Sequence, residues 1–222
     1  MSRGEATRLA LIKAAEKLIA ENGSSNVTIR EILEQAGQKN ESALQYHFKN
    51  MQGLVAATHR FRDEQIVEVR LAYLADLAAK PQPPELRDIA YVMVAPTFGL
   101  AREHADFRRY MRAFSLQLAS GEGRVLVSVR KITGDTDAQI RSLLQRALPH
   151  LDAEGYERRL EAAIRFVSVS MHAHSQQPNA FRGKTSDLFF ESLLDALVGL
   201  LGAKESPRTL ELSAQVAEFQ GR

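Results

Sequence analysis

Lys39, Asn40, Ser42 and Gln45 stand close together in a polar stretch, and their side chains match the edges of bases. Asn and Gln can pair bidentately with adenine in the major groove, and Lys can bond guanine. Tyr46 and His47 follow at once and can donate to phosphates, contacts that fix register on a duplex without reading sequence. A lone His is equally well a structural residue, so His47 gains weight only from its neighbours. Lys49 either neutralises a phosphate or is simply solvated. Thr28 precedes an apolar-periodic run, where orphan amides and the helix dipole favour an anion. A plain N-cap is an equally good reading of it.

Other chemistries find little support. With Cys at 0, there is no disulfide framework, thiolate metal site or cysteine nucleophile. His172-Ala173-His174 and Glu161 could suggest a metal, but helical residues two apart point to different sides, and ligands are needed at i, i+3 or i+4. No Gly-rich phosphate loop or nucleophile elbow occurs. The expectation is no catalytic residue, no metal and no cofactor. A small helical enzyme is the weakest of the rival readings.

The polar cluster needs helices to present it. Leu11, Ala15, Leu18 and Ile19 share one face of a first helix over about 5–21, closed by Asn22-Gly23. Thr28-Ile29-Arg30-Glu31 reads as a capping box opening a short second helix that ends at Ala36-Gly37. A third fits Asn40, as its cap, to about Phe48, with Leu44 and Phe48 facing inward. Asn50 can cap a long fourth helix patterned by Leu54, Thr58, Phe61, Gln65 and Val69, which runs to the stiff loop at Pro81, Pro83 and Pro84. Further helices are expected at about 85–104 (with a kink at Pro96), 105–119, 122–131, 135–148, 153–175 and 186–203. Arg124–Val129 is β-branched but lacks a partner strand. The tail over 206–222 is a terminal helix or a loosely held end.

Three short helices around a tight turn can insert one helix into the major groove. The residues Leu11-Ile12-Lys13-Ala14-Ala15, Asn22-Gly23, Thr28-Ile29-Arg30-Glu31-Ile32, Ala36-Gly37 and Tyr46-His47-Phe48 before Leu54 together resemble the DNA-binding head of the TetR family of bacterial regulators. The resemblance covers Thr7 to Leu54, about the first quarter of the chain. It implies DNA contacts from Thr28, Arg30, residues 39–47 and Lys49. Relative to the common family pattern the turn Gln38-Lys39-Asn40-Glu41 is one residue longer, Met51 replaces a lysine and Gln45 a tyrosine. The operators of relatives are therefore poor guides to this one.

The expected architecture is all-α: a helix-turn-helix head in 1–50, a larger effector-binding and dimerisation body in 51–205 and a C-terminal tail in 206–222. One head reads only a few base pairs, so specific binding needs a two-fold dimer with heads roughly 34–36 Å apart or further. Leu160, Ile164, Val167 and Met171 form one apolar stripe, and Phe189, Leu193, Leu197 and Leu200 another; two such pairs can make a four-helix dimer interface, or the stripes pack within one chain. Phe98, Arg102, Phe107, Tyr110, Met111 and Phe114 could line an apolar effector pocket with a few polar anchors, or be ordinary core. The resemblance implies a small-molecule effector that releases the DNA.

The apolar share of 45%, the charged share of 25% and the length of 222 residues are those of a soluble globular protein. No run approaches the roughly 18 apolar residues of a membrane span, and the first residues lack an apolar signal core, so a cytoplasmic protein is expected. A net charge of +2 permits DNA binding through a local surface without demanding it. The expected partners are a double-stranded DNA operator, a second copy of the chain and an unidentified small-molecule effector. An adaptor with this fold that binds protein instead of DNA is the main alternative.

Overall fold

Ser2 and Glu5 open the chain with reciprocal bonds: the Glu5 amide donates to Ser2 Oγ at 3.2 Å and the Ser2 amide to Glu5 Oε2 at 2.6 Å. Two orphan donors are thereby satisfied, and the first helix begins earlier than the apolar spacing alone indicates. The computed structural model describes residues 2–23, 26–38, 40–120 and 134–220. Among these residues there are ten helices and no strand. They are α1 (Arg3–Asn22), α2 (Ile29–Gln35), α3 (Ser42–Phe48), α4 (Met51–Ala78), α5 (Leu86–Glu103), α6 (Ala105–Ser120), α7 (Gly134–Ala147), α8 (Ala153–Ser175), α9 (Gly183–Gly202) and α10 (Pro207–Gln220). The helix expected at 122–131 lies outside the described residues.

Two expected boundaries are corrected. α3 begins at Ser42 with Glu41 at its N-cap, because Asn40 spends its side chain on an Asx turn, accepting from the Ser42 amide at 3.0 Å. α9 begins at Gly183, three residues early, where Gly183 takes up the positive φ of 68° that ends the preceding turn. Pro96 sits inside an uninterrupted α5. The tail is helical as α10, yet Leu210, Leu212, Val216 and Phe219 on it are exposed.

Helices α1, α2 and α3 are joined by Leu11, Ile12, Ala15, Ile19, Ile32, Leu33, Leu44 and Phe48, all buried, with Leu54 of α4 closing the cluster. α1 also lies along α6 and α4, and α8 packs chiefly on α6. α9 packs on α5 and α8, where Arg87 of α5 bonds both Glu191 and Asp195. The core is continuous from head to body.

The buried face of α4 differs from the expected one. It carries Thr58, His59, Arg62, Asp63 and Ile66, whereas Phe61 and Val69 are only half-buried. Polar side chains enter the core because they find partners there. Arg62 bonds Glu16 of α1 through Nε at 2.7 Å and Nη2 at 2.6 Å, and Asp106 of α6 at 3.1 Å. Glu16 and Arg62 are each 1% exposed, so a desolvated, bidentate ion pair fastens the head to the body.

Candidate nucleic-acid interface

α2 is only two turns long, so its ends must be made by side chains and turns. At its start the Thr28 amide donates to Glu31 Oε2 at 2.8 Å, and the Glu31 amide donates to Thr28 Oγ1 at 3.3 Å. The Thr28 hydroxyl also donates to Glu31 Oε2 at 2.7 Å. These bonds hold the Glu31 carboxyl below its ordinary pKa, the Thr28 amide contributing most. Thr28 is therefore a fully engaged cap whose hydroxyl proton must be released by Glu31 before it can meet a phosphate. At the end of α2 the Gln38 amide donates to the Leu33 carbonyl at 2.8 Å and the Gly37 amide to Glu34 at 3.1 Å, with Gly37 at φ 68°. This is a Schellman stop, and the positive φ explains the glycine.

α3 is pinned by Leu44 and Phe48, both buried, and turns Ser42, Gln45 and Tyr46 outward. Tyr46 is 85% exposed, its ring meeting only the edge of His47, 4.9 Å away between centroids. His47 is half-buried, between Tyr46 and Phe48. Asn40 and Arg30 are exposed as well, Arg30 in a surface pair with Glu34 at 3.1 Å that contributes little to stability. Lys49, at the C-cap of α3, is exposed and holds φ 68°, uncommon for a residue with a side chain. Lys39 lies outside the described residues. Thus Thr28, Arg30, Asn40, Ser42, Gln45, Tyr46 and Lys49 share the exposed surface of the head. Glu41, within the 39–47 stretch that the resemblance assigned to DNA, is exposed at the start of α3, where a carboxylate can accept from cytosine.

The α3–α4 turn sets the angle of this surface. Asn50 caps α4 by accepting from the Gly53 amide at 2.8 Å. A Cβ on Gly53 would stand 1.8 Å from the Phe48 carbonyl oxygen, so the close approach of the two helices requires glycine.

In the body, the six residues expected to line one pocket divide between two places. Phe98 packs with Phe181 and Phe190, at 5.5 and 4.6 Å between ring centroids. Arg102 lies over the Phe98 ring at 4.9 Å, bonds the Phe181 carbonyl at 3.2 Å and pairs with Asp187. Phe107, Tyr110 and Phe114, all buried, adjoin in a second cluster around His59; Met111 is buried too. His59 Nδ1 and Tyr110 Oη are 3.0 Å apart. Composition gave no warning of four buried atoms, His59 Nε2, Asp63 Oδ2, Arg70 Nε and Tyr156 Oη, that have no hydrogen-bond partner among the described residues. Burial lowers the His59 pKa to about 4 and raises that of Asp63 to about 7, the latter partly opposed by Arg70. His59, Asp63, Ile66 and Arg70 recur at helical spacing on α4, a signal the apolar pattern hides.

The two expected dimer stripes are partly consumed inside the chain. Leu160, Met171, Leu193 and Leu197 are buried, and Ile164, Val167, Phe189 and Leu200 are half-buried against the same core. Another stripe faces outward: Ala162, half-buried Phe166, Val169 and Ala173 on α8, with Leu188 at 69% exposure and Ala196 on α9. His174 is a packing residue, its Nε2 within 3.0 Å of Ser186 Oγ and its ring stacked 3.9 Å from Phe189. Among the described residues no cluster suited to a metal occurs, and no helix is long and apolar enough to cross a membrane.

Residues 11–58 match the model of the bacterial regulatory proteins, tetR family. No curated protein matches the chain by sequence. Among solved structures it is similar to the transcriptional regulator FadR from Bacillus subtilis, in complex with stearoyl-CoA, with 17% identity and a TM-score of 0.58 over 89% of this chain and 99% of that one. A transcriptional regulator from Rhodococcus sp. Rha1 is similar with 22% identity and a TM-score of 0.50, covering 93% and 100%. RolR in complex with resorcinol is similar with 17% identity and a TM-score of 0.51, covering 92% and 97%.

Proposed function

We propose, from the match of residues 11–58 to the bacterial regulatory proteins, tetR family, that the chain is a transcriptional repressor that binds a palindromic operator as a homodimer and is released by a small molecule. The observation that carries the reading is α3, which buries Leu44 and Phe48 to leave Gln45 and the 85% exposed Tyr46 free. Exposed side chains of this kind on a pinned helix have a use in a groove: Asn40 and Gln45 read base edges, while Arg30, Tyr46 and Lys49 hold phosphates. Ser42 and His47 complete the surface, and Lys39 is assigned to DNA from its side-chain chemistry alone. The protein acts in the cytoplasm as a regulator, without catalysis.

Dimerisation rests on the outward stripe of Ala162, Phe166, Val169 and Ala173 beside Leu188 and Ala196. Small and apolar residues at helical spacing let two helix pairs meet face to face. The effector site rests on the buried polar atoms of His59, Asp63 and Arg70 that have no partner among the described residues. With Tyr110, Met111, Phe107 and Phe114 they suit a compact ligand with an apolar body and hydrogen-bonding groups. The related folds include a stearoyl-CoA complex and a resorcinol complex, which supports a body that takes small molecules.

Fluorescence anisotropy of the full chain against genomic fragments, including the region upstream of its own gene, tests the reading. Binding to one near-palindromic fragment about a thousandfold above scrambled duplex, and steeply salt-dependent, is expected. Uniformly weak binding to every fragment would overturn it in favour of a protein-binding adaptor.

A further inference from the structure

A cleft of 310 Å³ opens between the start of α6 and the turn joining α8 to α9, and four arginines line it: Arg108, Arg109, Arg112 and Arg182. No carboxylate is among its lining residues, and none of the four makes an ion pair among the described residues. Asp106, whose charge Arg108 feels, is already held by Arg62. Burial, and then the charges of Arg182 and Arg109, push the Arg108 pKa down, as like charges crowded together must.

Two of the guanidiniums are fixed in place. Arg108 Nη1 donates to the Ala101 and Arg102 carbonyls at 2.7 and 3.0 Å, and Arg112 Nη2 to the Ser175 carbonyl at 3.2 Å. These carbonyls belong to the C-terminal ends of α5 and α8, so orphan acceptors orient the cations, and most of their five N–H donors remain available. The far wall is held just as firmly. Asn179, Phe181 and Gly183 all have positive φ, and Phe181 is wholly buried with its amide donating to His174 Nε2 at 3.2 Å. A bulky residue fixed at positive φ is strain kept by its surroundings.

We propose that this cleft is an oxyanion site, separate from the one around His59, that takes the phosphate or carboxylate group of a second small molecule. Planar guanidiniums converging on one space match oxyanion geometry, and an arriving anion relieves their mutual repulsion. The site adjoins the link between head and body, since Arg109 acts on Glu16 and Asp106 joins Arg62. An anion here competes with Glu16 and Asp106 for positive charge and so shifts the head. That consequence rests on the regulator reading; the site itself does not.

Calorimetric titration of the full chain with sodium pyrophosphate, at ionic strength held constant with NaCl, tests the proposal. Saturable binding at one site per chain is expected, with Arg109→Gln and Arg182→Gln each weakening it about tenfold. The Arg182 side chain bonds nothing else among the described residues, so unchanged melting of Arg182→Gln is expected and separates binding from folding. Citrate in place of pyrophosphate distinguishes a carboxylate from a phosphate ligand. Absent saturation with both anions, or undiminished affinity in both variants, would overturn the proposal. So would a fall of about one in the salt slope of DNA binding for each substitution, which would make the arginines contacts to DNA phosphates. Pyrophosphate binding by a chain that binds no DNA would leave the site standing and remove the regulator reading alone.

Discussion

Single residues decide this protein's chemistry at two places. Lys49 carries its charge on the exposed rim of the head while its backbone holds φ 68°. Replacing it by Gln keeps the stem and removes only the charge. Lys49→Gln should weaken binding uniformly across DNA sequences and lower the slope of log K against log salt by about 1; an unchanged slope in anisotropy titrations would show that Lys49 does not meet a phosphate. Asp63 lies deep in the body with Oδ2 unpartnered and its pKa raised to about 7 from 3.8. The folded chain therefore keeps a proton that the unfolded chain releases between about pH 4 and 7, and stability falls as pH rises through that window. His59, lowered from 6.5 to about 4, acts oppositely: the unfolded chain takes up the proton, so stability rises from about pH 4 to 6.5. Comparing wild type with Asp63→Asn cancels the His59 contribution. In urea melts from pH 4.5 to 6.5 the wild type should lose ground to the variant by about 1 kcal/mol per pH unit, and a pH-independent difference would show that Asp63 titrates normally.

At the scale of elements, capping and turn chemistry were legible in the sequence, and buried polar contacts were not. Thr28 with Glu31, Gly37 and Asn50 occupy their expected positions because each acts on backbone groups within a few residues. Asn40 misled because its side chain can serve a turn or a cap with equal ease. The buried face of α4 was misread because Arg62 and His59 look like surface residues until Glu16 and Tyr110, far away in sequence, come beside them. An apolar period likewise cannot tell an inner face from an outer one: of the two stripes expected at a dimer seam, Leu160, Met171, Leu193 and Leu197 are buried within the chain. Two consequences belong to this scale. Gly53→Ala forces a Cβ against the Phe48 carbonyl, 1.8 Å away, so the head should lose DNA affinity at least tenfold while body helicity by circular dichroism stays intact; full operator affinity would show that the turn relaxes at little cost. The Glu16–Arg62 pair is 1% exposed on both sides. Removing one partner strands the other charge, and Arg62→Met should cost about 3–5 kcal/mol in denaturant melts, whereas Glu16→Leu with Arg62→Met together should recover most of it. Additive losses in the double variant would mean that the two residues do not act as a pair.

At the scale of the whole molecule, the regulator proposed above would be an incomplete reader of DNA as one chain. A single α3 spans a few base pairs, whereas two heads held by a two-fold body share one operator and add their contacts. The face that would hold them is the stripe of Ala162, Phe166, Val169 and Ala173 on α8 with Leu188 on α9, continuous at one end with Arg158, which ties α10 through Ser213 at 2.8 Å and Glu205 at 3.0 Å. Val169 is 48% and Leu188 69% exposed, so charges placed there leave the core of one chain undisturbed. In a dimer the same charges would be desolvated opposite their own copies, because a two-fold interface repeats every residue. Val169→Asp with Leu188→Asp should therefore turn the particle in analytical ultracentrifugation from two chains to one at unchanged helicity. Operator affinity should fall by at least a hundredfold, while the residual binding becomes as weak for operator as for scrambled duplex. A variant that remains dimeric would move the interface elsewhere, and a monomer that keeps full operator affinity would break the link between dimerisation and recognition.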